Sequence, residues 1–365
     1  MKIIINQPRA SYFIGGAEMI SFDHAANFLQ LGHEVYFFTI SPKSIGLNYS
    51  KPFKNFYDRF KDKVKFIEIK QDSKIKYIYS IVPGEDRCRW NIESIYYNQK
   101  LYEYLESNKK KYDLIFSYYN LDAVFIPRKL IKNNTLYLCG VPKEQNDFQG
   151  SFLSSYDNVI AISEEVKESW KKYYKDEMKV VSTGVDCDRF CICEKEPSNK
   201  IKLLFVGRII SRKNVDMIAA AYEKLKKIYN LELIIVGDGP DIKSVKRITK
   251  TAKLIGAVDN PEEYYKQADI FITPSKYGEG LQGTILEAMS CGLVIIGTDT
   301  KINKKLLKSG RGFLVKPELE SVIQGIKDAI NSDRKFISKM NRKYVITNYN
   351  WLDKCKELLE GIKWI

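Results

Sequence analysis

Two glutamates, Glu279 and Glu287, bracket the run Gly280-Leu281-Gln282-Gly283-Thr284-Ile285-Leu286. The run follows a strand-like stretch, Asp269–Ser275, broken at Pro274, and leads into a helical pattern over Thr284–Cys291. Glu279 is therefore expected on a loop at a strand's carboxyl end, and Glu287 about one turn inside a helix. A carboxylate fixed beside backbone N–H groups accepts hydroxyl hydrogen bonds from a sugar or a ribose. On spacing alone, a pair of glycosidase carboxylates or two carboxylates near a helix dipole fits equally well. Upstream, Val206-Gly207-Arg208 closes another apolar run, and Lys213-Asn214 opens the next helical pattern. Two cations flanking such a turn can hold a diphosphate, the arginine as a planar fork and the lysine as a point charge. Near the start, Gly15-Gly16 lies between a strand-like run and the first long helical pattern. Glycines there let the backbone approach a ligand, and a helix N-terminus offers N–H groups to an oxygen anion, although a plain turn has the same sequence. The spacing is not G-x-G-x-x-G, so a dinucleotide fingerprint is absent. Cys187, Cys191 and Cys193 are spaced C-x3-C-x-C with no histidine nearby, which does not suit zinc. His24 and His33 fall in or just after the first helix and read as structural or surface residues.

The elements that must position these groups alternate along the chain. Strand-like runs are expected at Lys2–Asn6, Glu34–Ile40, Lys63–Ile69, Tyr112–Tyr118, Thr135–Val141 and Val159–Ser163. Helical patterns at Ala17–Leu31, Ile92–Ser107 and Glu164–Tyr174 separate them. The alternation restarts at Ile201–Arg208 and continues through Leu231–Gly237, Ala252–Val258, Asp269–Ser275, Leu293–Thr298 and Gly312–Val315. Asp333–Ile365 reads as two helices broken near Asn348–Asn350. Two such series predict two doubly wound α/β domains, because a single core stops growing near ~250–300 residues. The polar, aperiodic run Thr183–Lys200 marks the break. The expected division is an N-terminal domain over 1–185, a linker over 186–200 and a C-terminal domain over 201–345. A last helix, over 346–365, is expected to pack back toward the first domain. Ligand sites in such folds lie at the strand carboxyl ends, here expected to face a shared cleft. The loops Pro42–Asp62 and Pro142–Ser155 carry no readable code for a second ligand.

Composition narrows the class. At 365 residues, 44% hydrophobic and 28% charged, the chain is globular and long enough for two or three domains. No apolar run reaches the ~20 residues of a spanning helix. The opening Met-Lys-Ile-Ile-Ile-Asn is too short for a secretory signal, so a cytoplasmic location is expected. Seven cysteines, an odd number over a long chain, do not suggest a disulfide framework. Lys+Arg 59 against Asp+Glu 45 leaves a net charge of +14, which favours a phosphorylated ligand or an anionic membrane face. The lysines are scattered, with short runs such as Lys109–Lys111, and no aromatic-basic string accompanies them. Nucleic acid is therefore not an expected partner.

Taken in order, nine pieces of the sequence resemble glycosyltransferase family 4, the retaining nucleotide-sugar-dependent enzymes of GT-B fold within the glycosyl transferases group 1. They are G-G-A-E (Gly15–Glu18), L-G-H-E-V (Leu31–Val35), A-I-S-E-E-V (Ala161–Val166) and T-G-V-D-C-D-R-F (Thr183–Phe190). V-G-R-x4-K (Val206–Lys213), I-V-G-D-G-P (Ile235–Pro240) and Y-K-Q-A-D-I-F-I-T-P-S (Tyr265–Ser275) follow. The Glu279–Glu287 segment and L-E-A-M-S-C-G (Leu286–Gly292) complete the series.

This resemblance implies an α/β, GT-B architecture of two doubly wound Rossmann-like domains facing a central cleft. It implies an enzyme that transfers a sugar from a UDP- or GDP-linked donor to a hydroxyl of a glycan or lipid-linked acceptor. Cell-surface polysaccharide or glycoconjugate biosynthesis is the implied setting, with no cofactor, no metal and contact with the inner membrane face. By resemblance, Arg208 and Lys213 hold the donor diphosphate, Glu279 the donor sugar and Glu287 the ribose. Gly207 belongs to the same diphosphate turn. Backbone at Gly280, Leu281, Gln282, Gly283 and Thr284 touches sugar and phosphate, Val258 borders the base, and Gly16 faces the reacting phosphate. The chain departs from the family in three places. Cys139 stands where members often place a histidine, Gln282 replaces a frequent glycine, and Thr300–Lys305 lacks the usual glycine pair and glutamate. Two further readings share the architecture: a non-catalytic sugar-nucleotide-binding protein and a nucleotide-sugar 2-epimerase. The second normally needs cleft histidine, and this chain has only two histidines.

Overall fold

The structure, a computed structural model, describes residues 1–72, 75, 87–142, 147–195, 198–276 and 281–364. The chain divides into two compact units, Met1–Thr183 with the segment from Trp351 onward, and Gly184–Asn350.

Unit 1 is built on a parallel sheet of seven strands. These are β1 Lys2–Asn6, β2 Glu34–Ile40, β3 Lys65–Ile69, β4 Tyr112–Ser117, β5 Ile131–Leu138, β6 Asn158–Ala161 and β7 Lys179–Val180. Their order is β3-β2-β1-β4-β5-β6-β7, so the winding reverses between β1 and β4. Successive strand residues point to opposite faces, yet Ile3, Ile4 and Ile5 are all fully buried. Both faces of the sheet are therefore covered, as a parallel sheet requires. The helix Gly16–Gln30 packs against β1 and β2 and also against the helix Trp351–Gly361.

Strand β5 begins four residues before the expected Thr135 and ends three before Val141, because Asn133-Asn134 breaks the apolar pattern. Both asparagines are buried and both amides donate: Asn133 Nδ2 to Lys363 O at 2.9 Å, and Asn134 Nδ2 to Ala123 O at 2.8 Å. The stretch Pro42–Asp62, expected as loop, contains the helix Lys51–Phe60. Ser50 Oγ accepts from Phe53 N at its start, and Phe53 and Phe56 enter the core.

Unit 2 has six parallel strands, β8 Ile201–Val206, β9 Leu231–Val236, β10 Lys253–Gly256, β11 Ile270–Thr273, β12 Val294–Thr298 and β13 Gly312–Val315. Their order is β10-β9-β8-β11-β12-β13, with the reversal between β8 and β11. Leu203, Phe205, Ile270 and Ile272 join one hydrophobic cluster, while Leu204 and Phe271 join another on the opposite face. The run expected as a linker over 186–200 is, in its described part, folded into this unit. Cys187 and Phe190 are buried, and Arg342 donates to the carbonyls of Cys187 at 2.8 Å and Phe190 at 2.6 Å. This guanidinium and Asp186, whose Oδ1 accepts from Asp188 N and Arg189 N, satisfy backbone groups here that a strand ladder would otherwise hold. Arg342 lies on the helix Arg334–Tyr349, so unit 2 extends to Asn350 and past the expected limit at 345.

His24 gives the fold a titratable mark. It is fully buried, paired with Tyr118 Oη at 2.7 Å and ringed by Phe28, Phe116, Tyr137 and Trp351. Burial pushes its pKa down from 6.5 to about 3. The folded state thus binds fewer protons than the unfolded chain between those values, and stability falls as pH drops below 6.5. Between pH 7 and 5 this amounts to about 2 kcal/mol, from 1.36 kcal/mol per pKa unit. Melting curves of His24→Phe should lose that part of the acid slope, whatever the substitution costs at pH 7. Burial and the N-terminal ammonium also lower the His33 pKa, but that residue is present in both proteins. Parallel wild-type and variant profiles would contradict this assignment.

Candidate functional site

In unit 2 the loops after β8 and β11 leave neighbouring strands in opposite directions, which opens a crevice at the carboxyl ends. The loop after β8 is shaped by glycines. Gly207 has φ +150°, and a Cβ on Gly237, itself at φ +134°, would stand 1.9 Å from Gly207 O. A Cβ on Gly239 would lie 2.2 Å from Ile209 O. The same backbones are bonded, Gly207 N to Val236 O at 3.0 Å and Ile209 N to Asp238 O at 2.8 Å. The V-G-R and I-V-G-D-G-P pieces are thus one interlocked pair of loops. Arg208 is exposed on it, and Lys213 ends the single turn Ser211–Lys213, half-buried.

Asn214 follows with φ +59°, a left-handed conformation that asparagine tolerates better than most residues. Its Nδ2 donates to Pro274 O at 3.2 Å, and Lys276 N donates to Arg212 O at 2.8 Å. The cation-bearing loop is therefore joined to the loop after β11. Glu279 and Gly280, on that second loop, lie outside the described residues. Ser275 is buried just before them, and its Oγ has no hydrogen-bond partner among the described residues.

The helix Gly283–Ser290 begins where the chain returns to the crevice. Gln282 stands at its N-cap but provides no side-chain cap. Instead it is buried, with Oε1 accepting from Thr273 Oγ1 at 3.0 Å. Its side chain is committed to the end of β11 and leaves the first-turn N–H groups at Gly283 and Thr284 uncapped by it. Among the described residues nothing approaches within 4 Å of a Cβ placed on Gly283.

Further along this helix, Glu287 Oε2 accepts from the buried Tyr265 hydroxyl at 2.7 Å. Burial raises the Glu287 pKa, while the Tyr265 hydrogen bond and the Arg189 charge pull it back. Arg189 is itself held by Glu262 at 2.7 Å. Val258 and Leu281 are half-buried on the same hydrophobic cluster, giving that side of the crevice an apolar wall. Sequence reading missed Asn214, Ser275, Tyr265 and Arg189, whose roles depend on contacts between separate elements.

Two expected residues lie in unit 1. Gly16 is exposed at the N-terminus of its helix, and Gly15 N donates to Glu18 Oε2 at 3.0 Å. Cys139 follows β5, with Sγ 3.7 Å from Tyr137 O. Burial and the nearby Glu18 raise its thiol pKa, so the group is a neutral thiol. Cys191 and Cys193 have their sulfurs 3.7 Å apart and Cys187 is buried. Among the described residues no group of three or more His, Cys, Asp or Glu is placed to hold a metal.

The glycines fall into two kinds, which calorimetry can separate. Gly237→Ala forces a Cβ into backbone, and a large loss of melting temperature is expected. Gly283→Ala meets open space and improves helix propensity, so it should melt at or slightly above wild type. Equal destabilisation of the two variants would refute the distinction.

Comparison with known proteins shows what the chain is similar to. Residues 193–350 match the family described as glycosyl transferases group 1. An uncharacterised glycosyltransferase of Methanocaldococcus jannaschii is 29% identical over 222 residues, 55% of this chain and 57% of its own length. The alpha-monoglucosyldiacylglycerol synthase of Streptococcus pneumoniae is 31% identical over 169 residues, 40% of this chain and 38% of its own. The chain thus spans less than two thirds of either relative. Anabaena HepE, solved in complex with UDP, superimposes with a TM-score of 0.74 at 16% identity, over 99% of both chains. That likeness speaks for the fold. Residues 193–350 are thus similar to the glycosyl transferases group 1 family, and the two Rossmann-like units are those of the GT-B fold.

Proposed function

We propose that the protein is a retaining glycosyltransferase, using a UDP- or GDP-linked sugar and a hydroxyl of a glycan or lipid-linked acceptor. Cell-surface polysaccharide or glycoconjugate synthesis is the setting in this reading, and no metal is required. The observation that carries it is the seam at the unit 2 switch point. Arg208 and Lys213 stand on a loop tied to the loop after β11, beside a helix N-terminus without a side-chain cap. Cations and backbone N–H groups on a rigid frame neutralise a departing diphosphate, the charge a metal would otherwise balance.

In this reading Arg208 and Lys213 stabilise the leaving group, and the amides of Gly283 and Thr284 bind phosphate oxygens. Glu287, oriented by Tyr265, accepts the ribose hydroxyls, and Val258 and Leu281 flank the base and sugar. Glu279 and the backbone at Gly280 contact the donor sugar. Gly16 and the neutral Cys139 thiol act from unit 1. An epimerase reading loses ground because His24 is sealed in the core of unit 1.

Titration calorimetry with a nucleoside diphosphate panel tests the site and identifies the base. Failure to bind any member would overturn the reading. Lys213→Ala should lower turnover about a hundred- to a thousandfold at unchanged melting temperature. Glu279→Gln should act mainly on kcat, because positive character grows on the sugar during transfer. Glu287→Gln should mainly raise the donor KM, because the ribose changes little. Normal kcat in Glu279→Gln would remove that carboxylate from the mechanism.

The net charge of +14 supports peripheral contact with an anionic membrane. Among the described residues no helix is long and apolar enough to cross one. Flotation with anionic vesicles, lost at high salt, is the expected result. Equal behaviour with neutral vesicles would reject the contact.

A further inference from the structure

Unit 1 has its own switch point, between β1 and β4, and there the chain places a guanidinium of its own. Arg9, three residues past β1, is only 1% exposed. Its Nη1 donates to Asp122 Oδ2 at 3.1 Å, and its Nη2 to Ser94 Oγ at 2.6 Å and Trp90 O at 3.2 Å. Nε lies 3.0 Å from Glu93 Oε1. The guanidinium carbon sits 5.2 Å from the Trp90 ring centre and 4.8 Å from that of Tyr119. Tyr12 adds a second anchor, its hydroxyl donating to Glu93 Oε2 at 2.5 Å.

These contacts tie three distant parts of unit 1 together: the turn after β1, the helix Arg87–Asn108 and the loop after β4. An apolar filler would close such a crevice at less cost, since desolvating an ion pair consumes most of its attraction. What the ionic version adds is directional fixing. Arg9 O accepts from Tyr12 N at 3.1 Å and Phe13 N at 2.8 Å, so the anchored residues shape the turn itself. Two residues beyond Phe13 the turn ends in Gly15-Gly16.

We propose that Arg9, Tyr12, Glu93 and Asp122 are positioning residues, which hold the turn after β1, and with it Gly15-Gly16, in one geometry for group transfer. Resting on the glycosyl-transfer reading above, this gives them a role in turnover and none in binding the nucleotide, whose contacts lie in unit 2. Burial raises the pKa of both carboxyls, Asp122 adds to this at Glu93, and Arg9 draws both down. The turn is therefore anchored by charge whose balance depends on all three ionisable partners.

The test uses the full chain with two variants, Glu93→Gln and Tyr12→Phe, the second removing a single hydroxyl. Hydrogen exchange followed by mass spectrometry should show faster exchange in peptides covering residues 7–20 and unchanged exchange in β8–β12. Turnover is read as UDP released from UDP-glucose and GDP released from GDP-mannose. The kcat should fall about ten- to a hundredfold, with KM and calorimetric UDP or GDP affinity as in wild type. Faster exchange with normal kcat in both variants would make the network merely structural and overturn the proposal. Unchanged exchange in both would refute the anchoring itself. Loss of nucleotide affinity in step with kcat would also overturn it, because the effect would then extend to the whole fold. A wild-type chain that binds neither UDP nor GDP refutes the functional reading instead, which the exchange data separate from the anchoring.

Discussion

Unit 2 depends on a short seam across its switch point, where Asn214 Nδ2 meets Pro274 O and Lys276 N meets Arg212 O. Strands β8 and β11 are neighbours in the sheet, but their loops run apart, and a lysine on such a loop would otherwise sample many positions. The seam fixes the backbone on both sides of the crevice. It holds Asn214 in a left-handed conformation whose strain is offset by a buried hydrogen bond. From that frame follow the placement of Lys213, the exit of the β11 loop and the start of the helix Gly283–Ser290.

The two units solve the same topological problem with opposite electrostatics. At its switch point unit 2 keeps Arg208 exposed and leaves a helix start without a side-chain cap, so it favours an anion. Unit 1 places Arg9 in the corresponding position and neutralises it with Asp122 and Glu93, while Glu18 takes the Gly15 N–H group. A parallel α/β sheet thus offers one crevice per unit. In unit 2 it carries an exposed arginine, and in unit 1 the chain's own side chains neutralise the arginine there.

Much of this frame is legible in the sequence, because continuous apolar runs and helical periods are local properties. Strands β1, β2 and β13 match their expected limits, and most others shift by a few residues. The aromatic helix Lys51–Phe60 escapes because four lysines and arginines in and just after it mask a two-phenylalanine face. The glycines are harder to assign, since type and spacing do not tell a ligand-facing glycine from one pressed by backbone. Gly237 and Gly239 are pressed by the carbonyl oxygens of Gly207 and Ile209, whereas among the described residues nothing lies within 4 Å of a Cβ on Gly283. Gln282 is expected to meet the ligand through its backbone, and its type alone does not announce that its side chain is held by Thr273. The Arg9 cluster has no local signature at all, as its partners are separated from it by more than eighty residues.

The helix Trp351–Gly361 has a consequence for synthesis. Trp351, Cys355 and Leu358 are buried in the core of unit 1, though every residue of unit 2 is made before them. Burial of Leu358 alone contributes about 1.5–3 kcal/mol. On the ribosome, unit 1 therefore waits with an unfilled groove beside His24 while unit 2 emerges and can close its own core. The order of translation and the order of completion are reversed, and the first-made half of the protein is the last to be finished.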